Sequence, residues 1–143
     1  ITLNYKKTPY FDEYYPTIER ILLQPHNKLV ELNLELMKSI MGILEIHTDI
    51  VLASSIDKVL GFKNDRILNI CKYFNGTEYL SGNGARSYNV AEDYKKANIK
   101  LSYTSFEHPV YSQLWKDFEK GLSIIDLIFN DAELAKKLYK KIN

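Results

Sequence analysis

A single cysteine, Cys71, stands among the 143 residues, so no internal disulfide can form and a cysteine-rich metal site is excluded. That scarcity suits a reducing compartment, and a cytoplasmic location is expected. The histidines show no HxH or HExxH spacing and no CxxC pair exists, so no metal site is expected. Net charge is nearly absent as well. Nineteen Lys and Arg against eighteen Asp and Glu leave +1, which argues against a nucleic-acid partner held by bulk charge. No apolar run approaches the ~20 residues that cross a bilayer, and membrane insertion is not expected. The opening "ITLNYKK" has neither the apolar core nor the small-residue cleavage site of a signal peptide. It also has no initiator methionine and starts in mid-pattern. The expectation is therefore that 1–143 is a single α/β domain, the C-terminal part of a longer protein. No internal repeat, low-complexity tract or linker interrupts it.

What is present is globular, with 45% hydrophobic and 26% charged residues. Eleven tyrosines are many, and Tyr5, Tyr10, Tyr14 and Tyr15 crowd the start, which suits core packing or a ring-lined cleft. In 28–45, Leu29, Leu32, Leu36, Ile40 and Leu44 recur every three or four residues and predict an amphipathic helix. Residues 11–24 read as helical in their second half, with Pro16 at the helix start. A helix over 64–76 is expected to be capped by Asn64 or Asp65, to bury Ile67, Ile70, Cys71 and Phe74, and to end at Gly76. Helices are further expected over 91–98, 122–130 and 132–142, with Asp131 as a cap between the last two. Strands are expected near 48–54, 77–81 and 99–105. Their alternation with helices predicts an α/β fold in three layers, with a small parallel sheet flanked by helices and right-handed crossovers.

In open parallel sheets, ligands lie beyond the carboxyl ends of the strands. Three segments would arrive there: Ser54-Ser55, Ser81 through Arg86, and Glu107-His108. The run "YLSGNGARSY" (79–88) holds two glycines, which permit positive φ and a close backbone approach. Exposed amides there can wrap an anion, and Arg86 can grip a phosphate or carboxylate with two parallel hydrogen bonds. The same run also suits a plain strand-to-helix turn with a solvated arginine, because it is neither a dinucleotide fingerprint nor a Walker loop. His108 can act as acid or base, with Glu107 as its orienter; the alternative is a loop histidine held by backbone. Lys63 and Arg66 suit either a phosphate at a helix start or plain surface charge. Cys71 sits on an apolar face and reads as core.

Taken together, "KTPYFDEYYP", "ASSI", "KNDRILNICKYFNGTEYLSGNGARSYN", "ANIKLSY" and "FEHPVYSQLWKDFEKGLSIIDLIFN" resemble the WbqC-like protein family over nearly the whole chain. The matching positions are Ser81, Gly82, Gly84, Arg86, Tyr88, His108, Pro109, Tyr111, Gln113 and Asp126. The family's usual Gln-Pro-x-Tyr-x-Pro-Trp-like opening is absent. The resemblance implies an enzyme of bacterial surface-polysaccharide (O-antigen) biosynthesis, a transferase moving an acyl or aminoacyl group on a nucleotide-activated amino sugar. The alternative is a non-catalytic ligand- or partner-binding module of the same pathway. On the first reading Ser54, Ser55 and Ser81 bind the ligand, and Gly82 through Arg86, with Gly84, hold its phosphate or carboxylate. Tyr88, Tyr111 and Gln113 bind sugar hydroxyls, and His108 with Glu107 is catalytic. The ligand class is a small molecule, a nucleotide sugar; no cofactor and no oligomeric state are assigned.

Overall fold

Apolar spacing sets most of the elements. The computed structural model describes residues 1–56, 61–115 and 117–140. Its order is α1 (Thr2–Tyr5), α2 (Phe11–Leu23), α3 (Leu29–Ile43), α4 (Lys63–Tyr73), β1 (Glu78–Ser81), α5 (Ala91–Lys96), β2 (Lys100–Tyr103), α6 (Ile124–Asn130) and α7 (Ala132–Lys140). Short 3-10 turns lie at Ala53–Ser55 and Asn83–Ala85. The contacts divide the chain into two compact units, 1–50 with 108–143, and 51–107.

The first unit is helical. Ile18 of α2, Leu44 after α3, and Leu127, Ile128 and Phe129 of α6 are buried together with Phe11 and Ala135, and Ile21 of α2 is buried as well. Each large apolar side chain of this set contributes about 1.5–3 kcal/mol by leaving water. Phe129 is the hub. Its ring meets Tyr5 and Phe11 at 5.4 Å and Tyr15 at 6.4 Å, and its carbonyl accepts from Tyr10 N at 3.1 Å. Pro16 lies inside α2 rather than at its start. Stacking of Phe11 on Tyr15 at 4.4 Å holds the turn that precedes it and offsets the hydrogen bond a proline cannot donate. The Leu29 end of the expected apolar stripe is exposed, and the stripe engages the core only from Leu36 onward. Asp131 caps α7 as expected, its Oδ1 accepting from Leu134 N at 2.9 Å.

The second unit carries the sheet. β1 and β2 are parallel, with Glu78, Tyr79, Leu80 and Ser81 opposite Lys100, Leu101, Ser102 and Tyr103. Tyr79 and Leu101 face Leu68, Ile67 and Cys71 of α4 and the fully buried Tyr94 of α5, which stacks on Tyr79 at 5.6 Å. On the other face Glu78 pairs with Lys100 at 3.0 Å and Leu80 is exposed. The α/β class therefore stands, with two parallel strands among the described residues in place of the three expected, and α4 and α5 packed on them. The expected strand near 48–54 does not form. Val51 and Leu52 are exposed, and Ser55 closes a turn onto Leu52 O through both its amide (2.9 Å) and its hydroxyl (2.7 Å).

Helices α3, α4 and α5 end alike. Glu45, Asn75 and Asn98 take φ of 58°, 52° and 57°, and the following amides bond back from Ile46 to Met41, Gly76 to Cys71 and Ile99 to Tyr94. The left-handed residue after α4 is thus Asn75. Gly76 follows because a Cβ there would come within 3.3 Å of Cys71 O. Asn64 and Asp65 do not cap α4; Asn64 is drawn inward by partners distant in sequence. Phe74, expected on the buried face, is about half exposed.

Candidate functional site

Ser81 ends β1 and is buried, and Thr104 N continues the ladder by donating to Ser81 O at 2.9 Å. The chain then turns through Asn83–Ala85. Asn83 Nδ2 donates to Thr104 O at 2.7 Å, fastening the turn to the end of β2. Farther along, Asn89 Nδ2 donates to Ser81 Oγ at 3.0 Å and to Tyr103 OH at 3.3 Å. Val90 N donates to Asn64 Oδ1 at 3.0 Å, while Asn64 Nδ2 donates to Asp93. The loop over 82–90 is thus anchored to both strand ends and to α4, where the topology of an open parallel sheet would bring a ligand.

Arg86 is the residue this scaffold presents. Its Nε donates to Asn83 Oδ1 at 3.0 Å, and its guanidinium lies 4.0 Å above the centre of the Tyr103 ring. Two contacts therefore orient the guanidinium plane. Among the described residues no hydrogen bond or carboxylate engages Nη1 or Nη2, which leaves the fork suited to bidentate contact with an anion.

The glycines work differently from expectation. Gly82 has φ −69° and Gly84 is not among the positive-φ residues, so neither is required by backbone conformation. The amides of Ala85, Arg86, Tyr88 and Asn89 are consumed within the turn, so these four do not form the open amide wrap that the sequence suggests. A Cβ at either glycine meets nothing within 4 Å. Gly82→Ala and Gly84→Ala are therefore expected to leave the melting temperature unchanged or raise stability by about 0.4–1 kcal/mol. A fall in ligand affinity in either folded variant would place the ligand against this stretch of backbone.

Tyr88, two residues past Arg86, is exposed and lines a recess of about 450 Å³ with Lys63, Arg66 and Ile67 of α4. The helix-start cations and the loop aromatic are thus neighbours. Ser54 and Ser55 lie in the 3-10 turn, with the Ser55 hydroxyl turned onto Leu52 O. Glu107 is the last residue of the second unit and His108 begins the second segment of the first, and both are exposed. Cys71 is half-buried, and burial pushes its thiol pKa up, as suits a core residue.

The first unit holds a separate cluster around Asp126. This carboxylate, in the first turn of α6, is 4% exposed. Its Oδ2 accepts from Tyr111 OH at 2.6 Å and from Gln113 Nε2 at 3.0 Å. Gln113 also exchanges two bonds with the Glu119 backbone, Nε2 to O at 2.9 Å and N to Oε1 at 2.7 Å. Tyr111 and Gln113, singled out as sugar contacts, are thus engaged with Asp126 and the loop that follows. Beside them lies a pocket of about 450 Å³ lined by Asn4, Tyr5, Gln113, Leu114, Trp115, Glu119, Leu122 and Asp126. The sequence marks Tyr5 only as part of a tyrosine-rich start and does not mark Trp115, because no local spacing links residues 4–5 to 113–126. The pattern Ser123-Ile-Ile-Asp126 at a helix start was the available signal for Asp126.

Burial, and then the Asp126 carboxylate, push the phenols of Tyr5 and Tyr111 up to about 12. Because these folded values lie above the ordinary value of about 10, the stability they contribute is complete below pH 10 and is lost as pH rises toward 12. Denaturant titrations across that window should show a falling midpoint, with a shallower fall for Tyr111→Phe. An identical slope in that variant would contradict the coupling.

Among the described residues no cluster of His, Cys, Asp or Glu is placed to hold a metal ion, and no helix is long and apolar enough to cross a membrane. The sequence matches the family described as the WbqC-like protein family over residues 1–137. It is 35% identical over 133 residues to a Mycobacterium tuberculosis protein described as uncharacterized protein Rv1507c, an alignment covering 91% of this chain and 57% of that protein. The chain thus spans a little over half the length of this curated relative. No solved structure matches it.

Proposed function

The chain belongs to the WbqC-like protein family, and from that premise we propose that it serves bacterial surface-polysaccharide (O-antigen) biosynthesis as an enzyme acting on a nucleotide-activated amino sugar, by acyl or aminoacyl transfer. The observation that carries the ligand class is Arg86. Its guanidinium is held by Asn83 and Tyr103 at the carboxyl ends of two parallel strands, and among the described residues no carboxylate or backbone group bonds its fork. A diphosphate fits such a fork by charge and by paired hydrogen bonds. The neighbouring Tyr88 recess offers a flat ring and the cations Lys63 and Arg66 to the rest of a nucleotide. Titration of the full-length protein with nucleotide sugars, bare sugars and inorganic diphosphate tests this. Nucleotide sugars should bind and diphosphate should compete; bare sugars binding equally well would defeat it.

A non-catalytic binding module is the competing reading, favoured by the exposure of both Glu107 and His108, which gives the acid/base pair no desolvated setting. Turnover by His108→Ala decides between them. General acid/base work by His108 predicts a loss of roughly 100-fold or more, whereas unchanged turnover removes His108 from the chemistry.

A further inference from the structure

We propose that the pocket beside Asp126 binds a primary ammonium group carried on a ring. The inference concerns the first unit alone and does not rest on the reading of the Arg86 loop.

One of the residues lining the pocket is a carboxylate almost wholly removed from water, Asp126, which is 4% exposed. Its hydrogen-bond donors are neutral, the Tyr111 hydroxyl and the Gln113 amide, and the nearby Tyr5 phenol, which its charge helps push up, is neutral too. No Lys, Arg or His among the described residues pairs with it. Neutral donors and the first turn of a helix ease the burial of a carboxylate, but they bring no opposing charge, and a buried charge is costly without one. A ligand ammonium supplies that charge, in a setting where Coulomb attraction is strong.

The walls fit the rest of such a ligand. Tyr5, Leu114, Trp115 and Leu122 present apolar surface, and aromatic faces attract cations. Trp115 is held in place by its indole N–H, which donates to Asn4 O at 2.9 Å. The Gln113 amide is spent on Asp126 and the Glu119 backbone, so it sets the shape of the pocket rather than reaching a ligand. Among the described lining residues no side chain is cationic, and Asp126 repels anions; the ligand is an amine and not a phosphate or carboxylate. About 450 Å³ holds one ring with its substituents.

The test titrates the full chain with glucosamine and glucose, which differ by an ammonium in place of one hydroxyl. Glucosamine is expected to bind roughly tenfold tighter or more, and Asp126→Asn, which keeps the shape and an acceptor, should erase the preference. Leu122→Lys guards against an Asp126 variant that fails to fold. Leu122 is 45% exposed, so a lysine there leaves the fold intact and sets a cation at the pocket mouth, and glucosamine affinity should drop roughly tenfold. Equal binding of the two sugars, binding of neither at millimolar concentration, or unchanged glucosamine affinity in Leu122→Lys would overturn the proposal. So would a folded Asp126→Asn that keeps the preference. A carboxylate that merely fastens the 111–119 loop gives thermal destabilisation in Asp126→Asn and no discrimination between amine and alcohol.

Discussion

Phe129→Ala is expected to destabilise the protein by about 3–5 kcal/mol. Phe129 is fully buried, and its ring joins Tyr5 of α1 with Phe11 and Tyr15 of α2. Truncation leaves a cavity that aromatic neighbours of fixed shape fill poorly, so the cost exceeds the transfer energy of the lost ring alone. The loss also reaches the Asp126 pocket, because α6 carries both residues and Tyr5 touches both. Urea denaturation should show the midpoint falling with the slope unchanged. A loss below about 1 kcal/mol would mean that the cluster repacks, contrary to the close packing described.

Arg86→Ala should weaken nucleotide-sugar binding by roughly 10- to 100-fold, because hydrogen bonds to charged groups contribute about 1.5–3 kcal/mol and each 1.4 kcal/mol is tenfold. Stability should move by no more than about 0.5 kcal/mol, since the side chain is exposed and its loss leaves Asn83 still bonded to Thr104 O. Arg86→Lys should recover only part of the affinity, because a lysine keeps the charge but has neither the fork nor the planar face that rests on Tyr103. Calorimetric titration of the three proteins checks this, and equal affinity in all of them would remove Arg86 from the ligand site.

The contrast between these residues shows what a sequence discloses. The helices over 28–45 and 122–130, the strands at 77–81 and 99–105 and the cap at Asp131 were legible because each depends on spacing within a few residues. The apolar run at 48–54 misled for the opposite reason. A strand exists only through a neighbour's hydrogen bonds, and here Ser55 bonds back to Leu52 instead. The loop after Ser81 was legible as a place, through its glycines and its position beyond a strand. How it works was not: the clamp on Arg86 uses a ring 17 positions away, at Tyr103, and the Asn83 amide reaches Thr104. The Asp126 pocket was least legible, since Trp115 and Asn4 are joined across 111 positions.

The most direct test of the central claim is nitrogen-resolved NMR of the Arg86 side chain in the full-length protein during titration with a nucleotide sugar. The Nη signals should shift and saturate with the ligand, while Nε–H keeps the signature of its bond to Asn83. A ligand that saturates the protein while every Arg86 side-chain signal stays in place would contradict the account.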